Sequence, residues 1–362
     1  MKIACIIHSL NGGGAERVMA GLSTRLQAKG HTVTLITLDD GKNDKHDVGQ
    51  EVHRVKLNLM QESHSKISAI GNTFGRIRKL RRAIQMDGPD AVLSFCDATN
   101  VLTLLSTYGL AYPVIVCERS DPENQKLAWP WGMLRPRLYR HAERVVVLTE
   151  KAAKLVGPWS TKKPIVIPSA VDSFPPIPTK HKVERTQSIL LGVGRLEHEK
   201  GFDRLISAFA SIAPQFQNWD LKIVGEGLLR TQLEQQVSSL KLTDRVSFPG
   251  WIRPIWPAYH AADLFALPSR YEGFPSALLE AMAIGLPVVA VDCESGPREI
   301  IRNERDGLLV PNDVQSLSDS LARCMSDSSL RNRLGREAVN VTSRFGWDAM
   351  VDAYEKVLID EG

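Results

Sequence analysis

Four charged residues in the carboxyl half of the chain are spaced for work on a phosphorylated ligand: Arg195, Lys200, Glu272 and Glu280. The first two lie in Leu191-Gly192-Val193-Gly194-Arg195-Leu196-Glu197-His198-Glu199-Lys200-Gly201-Phe202, between a strand pattern and a helix pattern. Arginine offers a planar fork and lysine a compact point charge, a pairing that grips a diphosphate through nitrogen donors alone. The two glutamates lie in Ser269-Arg270-Tyr271-Glu272-Gly273-Phe274-Pro275-Ser276-Ala277-Leu278-Leu279-Glu280-Ala281-Met282-Ala283-Ile284-Gly285-Leu286-Pro287. Pro275 suits the first turn of a helix, Gly285 its carboxyl cap and Pro287 a stop, which predicts a helix over residues 275–284. Glu272 then stands in the preceding loop and Glu280 within the helix, with the free amides of Phe274, Pro275's successor Ser276 and Ala277 between them. An anion seated on those amides would have a carboxylate on either side to accept hydrogen bonds from hydroxyls, which is the layout of hexose, diphosphate and ribose in a sugar nucleotide. Glu280 is flanked by apolar residues, so its burial would oblige it to find a partner. Taken singly, any of these charges could equally be a solvated surface group.

A glycine-rich turn, Ser9-Leu10-Asn11-Gly12-Gly13-Gly14-Ala15-Glu16-Arg17, follows the first strand pattern and opens a helix. Its exposed amides and the helix N-terminus suit a phosphate or a sugar oxygen, although a plain strand-to-helix turn would need the same small residues. A dinucleotide fingerprint fits less well, since Arg17 stands where the third glycine belongs.

The elements that must hold these residues alternate between short β-branched runs and helical patterns, twice over, which implies βαβ units and parallel sheets covered by helices. In the first half, strands are predicted near residues 3–8, 32–38, 91–95, 114–117 and 144–148, and helices near 15–28, 67–85 and 98–106. In the second half, strands are predicted near 189–193, 221–224, 245–248, 263–267, 288–291 and 308–310. The proline-dense segment from Val171 to Pro178 and the polar stretch to Gln187 tolerate no central strand or helix and read as a linker. The expected organisation is a first domain over 1–172, a linker over 173–187 and a second domain over 188–346, with ligands bound in a cleft at the carboxyl ends of both sheets.

A length of 362 residues accommodates two such domains, and 43% hydrophobic with 24% charged residues is a globular composition. No apolar run reaches the length of a membrane span, and the opening strand is cut short by His8 and Asn11 rather than continuing as a signal peptide. Five scattered cysteines without a Cys-x-x-Cys pair suggest neither a disulfide framework nor a zinc site and fit a cytoplasmic compartment. The net charge of +4 gives no case for nucleic acid, yet Arg76, Arg78, Lys79, Arg81 and Arg82 are clustered. They belong to a helical pattern with Ile67, Ile70, Phe74, Ile77, Leu80 and Ile84 on its apolar side. That helix, residues 66–85, reads either as a sheet-packing helix with a solvated charged face or as one that lies on an anionic membrane. Arg135, Arg137, Arg140 and Arg144 could extend the positive face or meet an acceptor phosphate.

The glutamate pair separated by seven residues closely resembles the signature of the family 4 retaining glycosyltransferases. The likeness extends to Gly12-Gly13-Gly14-Ala15-Glu16-Arg17, Gly194-Arg195-Leu196, Lys200-Gly201, Val224-Gly225-Glu226-Gly227, Pro249-Gly250-Trp251 and Ser295-Gly296-Pro297-Arg298-Glu299-Ile300-Ile301. It implies an α/β fold of the GT-B class, two Rossmann-like doubly wound domains, with a last helix over 347–362 returning to the first. By that resemblance Arg195 and Lys200 neutralise the donor diphosphate at the turn of Pro275 and Ser276, where the Ser276 amide donates, Glu280 binds the ribose, and Glu272, Gly273 and Phe274 hold the hexose. Glu226, Trp251 and Ile252 would border the base, and Gly13 and Gly14 join the donor set. Where many relatives carry a histidine near the acceptor, this chain reads Cys117-Glu118-Arg119, so Glu118 and Arg119 are the expected acceptor-side residues. The implied activity is transfer of a hexose or N-acetylhexosamine, with retention, from a UDP-linked or similar nucleotide sugar to a glycan or polyprenyl-diphosphate acceptor. No metal or other cofactor is expected, and the enzyme would work in the cytoplasm or at the cytoplasmic face of the inner membrane. A non-catalytic sugar-nucleotide-binding module and a GT-B epimerase are the alternatives.

Overall fold

The computed structural model describes residues 1–60, 66–173 and 187–359, with side chains from Asn72 onward in the helix that begins at Lys66. The expected linker falls almost wholly on residues 174–186, outside the described ones. The chain divides into two compact units, Met1–Ser169 with Asp348–Gly362, and Ala170–Trp347.

In the first unit the elements run β1 (Lys2–Ile7), α1 (Gly14–Ala28), β2 (Thr32–Thr37), β3 (His53–Lys56), α2 (Lys66–Asp87), β4 (Ala91–Phe95), α3 (Asp97–Thr107), β5 (Val114–Cys117), α4 (Trp131–Leu138), β6 (Arg144–Val147), α5 (Glu150–Val156) and β7 (Ile165–Val166). The strands form one parallel sheet in the order β3-β2-β1-β4-β5-β6-β7. Strands β1, β4, β5 and β6 are buried nearly throughout, as central strands covered on both faces must be. Two edge strands were not anticipated, because β3 is partly exposed and charged and β7 is only two residues long.

The second unit contains β8 (Ser188–Val193), α6 (Phe202–Ile212), β9 (Trp219–Val224), α7 (Arg230–Ser239), β10 (Val246–Gly250), α8 (Trp256–Ala261), β11 (Leu264–Leu267), α9 (Ser276–Ala283), β12 (Val288–Val291), α10 (Pro297–Ile300), β13 (Leu308–Val310), α11 (Val314–Ser326), α12 (Ser328–Ala338) and α13 (Val341–Arg344). Its parallel sheet has the order β10-β9-β8-β11-β12-β13. Its core joins Leu190, Leu221, Ile223, Leu264 and Val289 of the strands to Phe202, Leu205, Phe209, Leu317 and Leu321 of the helices. A final helix, α14 (Trp347–Ile359), leaves this unit at its first residue, and its remaining residues belong to the first. There Tyr354 is fully buried and its ring lies 5.9 Å from that of Phe95.

Both sheets are doubly wound. Chain order moves outward in opposite directions from β1 and β4, and again from β8 and β11, so each sheet has a switch point where loops part and leave a crevice at the carboxyl edge. The residues after β1 and β4 and those after β8 and β11 are therefore the ones the fold presents to ligands.

Candidate functional site

The second unit's switch point carries the charged residues with which the sequence reading began. Lys200 follows β8 through a single 3-10 turn and donates from Nζ to Glu272 Oε1 at 2.7 Å. The same oxygen accepts from Ser269 Oγ at 2.7 Å, and Glu272 is buried. Arg195 is 64% exposed at the side chain and donates from Nη2 to Glu199 Oε1 at 2.8 Å. Helix α9 starts one residue later than predicted: Pro275 is its N-cap in an extended conformation, and Ser276 is the first helical residue. Its other end is as expected, since Gly285 is left-handed and the amides of Gly285 and Leu286 donate to Met282 and Ala281 carbonyls in a Schellman closure. Glu280 is buried, and Tyr259, fully buried on α8, donates to its Oε2 at 3.0 Å. This is the partner that a carboxylate in an apolar helix requires.

Glycines let the neighbouring loops close on this edge. Gly225 has φ of +147°, and a Cβ there would sit 1.9 Å from the Gly194 carbonyl oxygen, while its amide donates to Gly250 at 3.0 Å. The loops after β8, β9 and β10 are thereby stitched together, which brings Glu226, Trp251 and Ile252 to the edge. Trp251 is half-exposed, and Glu226 pairs with Arg230. Gly296, N-cap of α10, packs against Gly273 and Pro275. Phe274 is the exception within the expected set: its ring is buried, edge-on to Phe345 at 5.3 Å, so only its backbone can face a ligand.

In the first unit, Gly13 is the N-cap of α1, and the Glu16 carboxylate folds back where a Cβ on Gly13 would lie. Glu16 Oε1 also lies 3.2 Å from His8 Nε2. A carboxylate on the turn disfavours a phosphate there and favours a hydroxyl donor, which corrects the broader expectation for Gly13 and Gly14. Glu118 corrects the acceptor-side expectation more sharply. It is buried with Oε2 2.8 Å from Arg135 Nη2, and Tyr139 donates to its other oxygen. Burial pushes the Glu118 carboxyl up and the Arg135 charge opposes that shift. Both groups are committed to the interior, so neither Glu118 nor Arg135 is presented to an acceptor. Arg119 donates to Ser169 Oγ at 2.7 Å and covers the Phe95 ring at 4.8 Å.

Residues 12–173 match the family described as Glycosyltransferase Family 4, and residues 173–341 match the family described as Glycosyl transferases group 1. The chain belongs to the family 4 glycosyltransferases. This glycosyltransferase is 27% identical over 347 residues, 93% of its length and 92% of the other's, to the Campylobacter jejuni protein named GalNAc-alpha-(1->4)-GalNAc-alpha-(1->3)-diNAcBac-PP-undecaprenol alpha-1,4-N-acetyl-D-galactosaminyltransferase. It is 26% identical to the amylovoran biosynthesis glycosyltransferase AmsD of Erwinia amylovora, with 99% of both chains covered. Sucrose-phosphate synthase of Thermosynechococcus elongatus superposes with a TM-score of 0.85 over 99% of this chain and 98% of that one at 22% identity, which assigns the GT-B fold. Anabaena HepE, solved with UDP and glucose, gives 0.80 at 20% identity over 99% of both chains.

Sequence reasoning missed several residues of the glycosyltransferase's two switch points. Asp97, the first residue of α3 after β4, has one oxygen shielded from solvent and without a hydrogen-bond partner among the described residues, while the other accepts from the Ala98 amide at 2.8 Å. Cys96 before it has φ of +73°, an unusual conformation for a side-chain-bearing residue. Arg270 and Asp203, beside Lys200, were also passed over. Two surface grooves of about 290 and 500 Å³ border α5, and none of their lining residues belongs to either switch point. Among the described residues, no group of three or more His, Cys, Asp or Glu side chains is arranged around a common metal position, and no helix is long and apolar enough to cross a membrane.

Proposed function

We propose that this glycosyltransferase moves a hexose or N-acetylhexosamine, with retention of configuration, from a UDP-linked sugar to a glycan or polyprenyl-diphosphate-linked acceptor in bacterial surface-glycan synthesis. The observation that carries the reading is the Lys200–Glu272 contact of 2.7 Å beside the N-terminus of α9. One side chain there answers a phosphate and the other answers sugar hydroxyls. Departure of the nucleoside diphosphate leaves an oxocarbenium-like centre, so the main catalytic task is to stabilise charge building on the leaving group. Arg195, Lys200 and the amides at the start of α9 would do this, which is why no metal is invoked. Binding requires an exchange of partners: the diphosphate draws Arg195 from Glu199 and Lys200 from Glu272, and Glu272 is released to accept hydrogen bonds from the hexose. Glu280, oriented by Tyr259, would accept from the ribose hydroxyls.

For the acceptor hydroxyl, Asp97 replaces Glu118 as the group we assign to orient it, because Asp97 lies at the switch point with a spare buried oxygen. UDP is favoured by the structure of Anabaena HepE in complex with UDP and glucose, and a lipid-linked acceptor by the name of the Campylobacter relative. Such an acceptor would place the enzyme at the cytoplasmic face of the inner membrane. Calorimetric titration with EDTA present, against UDP, GDP and ADP and their hexose and N-acetylhexosamine conjugates, tests the donor half. Selective binding of one nucleotide that Arg195→Ala abolishes is expected, and no binding to any of them would overturn the assignment. Turnover that depends on an added acceptor separates transfer from epimerisation.

A further inference from the structure

Lys200 stands on a thinly supported loop. The loop has one 3-10 turn, His198–Lys200, and then Gly201, whose φ of +65° makes it a left-handed N-cap for α6. What fastens this loop to the one bearing Glu272 is mostly Arg270. Its amide donates to the Glu199 carbonyl at 2.8 Å. Its Nη1 donates to the His198 carbonyl at 2.9 Å and to Asp203 Oδ1 at 2.8 Å, and its Nη2 donates to Asp203 Oδ2 at 2.7 Å. A Cβ on Gly201 would lie 2.3 Å from the Pro268 carbonyl oxygen, so the two loops touch backbone to backbone. An isolated pair this exposed would contribute little, but a bidentate fork that also holds a carbonyl fixes orientation as well as distance.

We propose that Arg270 and Asp203 are positioning residues that hold the Lys200 and Glu199 backbone in register with Glu272 while the ion pairs between those side chains are being exchanged for the donor. The inference rests on the donor-site reading above. When a diphosphate takes Lys200 from Glu272, the direct side-chain link between the loops is lost, and the Arg270–Asp203 fork remains to set where the ammonium meets the leaving group. The fork touches neither donor nor acceptor and acts only through Lys200 and its loop.

The test compares Arg270→Lys, Asp203→Asn and Lys200→Ala, each alone, and Arg270→Lys combined with Lys200→Ala, in the full-length protein. Arg270→Lys keeps the charge but loses the fork. Misplacing a charge by a fraction of an ångström to an ångström should lower kcat by about tenfold to a hundredfold with little change in donor KM. Asp203→Asn should behave alike, and neither should change the thermal midpoint by enough to unfold the protein at the assay temperature. If the fork acts through Lys200, Arg270→Lys adds almost nothing in the Lys200→Ala background, whereas a merely structural role gives multiplying losses. Reduced turnover in Lys200→Ala with wild-type kcat in Arg270→Lys overturns the clamp alone. Wild-type turnover in Lys200→Ala overturns the donor-site reading, and the clamp with it.

Discussion

At the scale of single residues, the two cations of the proposed donor site are already paired with carboxylates, Lys200 with Glu272 and Arg195 with Glu199, and this decides how substitutions should read out. Glu280 is buried on Tyr259, so Glu280→Ala removes a charged hydrogen-bond acceptor from the proposed ribose site. Nucleotide affinity should fall by about 1.5–3 kcal/mol, roughly ten- to a hundredfold, in calorimetry. Glu199 should behave in the opposite sense. In the proposed exchange it would compete with the diphosphate for Arg195, so Glu199→Gln should tighten UDP binding by about two- to fivefold at low salt, the scale of an exposed pair, and weaker binding would count against partner exchange. The two acidic residues of the first unit divide likewise. Asp97→Asn should cost about a hundredfold in kcat without loss of stability, as expected for a group that meets the acceptor proton. Glu118→Gln leaves Arg135 buried beside a neutral amide and should cost about 3–5 kcal/mol in denaturant unfolding, with kcat of the surviving fold nearly unchanged. The thiols offer no alternative nucleophile, since burial pushes Cys5, Cys117, Cys293 and Cys324 up to about 12 and raises Cys96 as well.

At the scale of elements, the legible parts were those whose physics is local. Strands such as Ala91–Phe95 and Val288–Val291 are apolar on both faces and announce themselves, and the cap at Gly285 follows from conformation alone. Contacts between distant segments leave no such mark. Glu118 finds Arg135 and Tyr139 in the stretch beyond its own strand, and Glu280 finds Tyr259, so the sequence could say that a buried carboxylate needs a partner but not which one. Phe74 misled for a related reason. It fits the apolar period of α2, yet it is 73% exposed, because it falls in line with exposed Arg78, Arg82 and Met86 rather than with buried Leu80 and Ile84. Two elements give further tests. Gly225→Ala would force a Cβ to within 1.9 Å of the Gly194 oxygen at a positive φ, and strain plus overpacking should destabilise the second unit by about 3 kcal/mol or more. Helix α14 is held by Lys29 and His31 against Glu355, and these hydrogen bonds, Lys29's first, keep the Glu355 carboxyl below its usual range. A depressed carboxyl supports the docked helix fully above about pH 4.3, the unfolded value, and that support is lost as pH falls through the lower folded one. Amide exchange in α14 should therefore speed up relative to the rest of its unit in that acid window, and Glu355→Gln should remove the difference.

At the scale of the whole molecule, the question is how an enzyme that is not expected to span a membrane would meet a lipid-linked acceptor. Helix α2 has no acidic residue before Asp87, and Phe74, Arg78, Arg82 and Met86 recur every fourth residue, along one exposed side. α2 packs on α3 and α3 on α4, and the segment of α4 adds exposed Trp129, Met133 and Arg137, again without an acidic residue between Gln125 and Ala142. Exposed aromatic and methionine side chains among exposed cations suit the boundary between headgroups and acyl chains, where each cation near an anionic surface adds about 1 kcal/mol. The reading of α2 as a sheet-packing helix is satisfied at the same time, since Leu80 and Ile84 are buried beneath it. Sedimentation with vesicles containing phosphatidylglycerol should therefore show binding that weakens with added salt, whereas neutral phosphatidylcholine vesicles should bind little. Arg78→Gln, Lys79→Gln and Arg82→Gln together should remove about 3 kcal/mol, roughly a hundredfold in affinity, and leave UDP binding in solution unchanged. Phe74→Ser with Trp129→Ser should weaken what is left independently of salt. Equal affinity for neutral and anionic vesicles would show that this charged face is merely solvated, and the acceptor would then have to reach the first unit's switch point without help from the membrane surface.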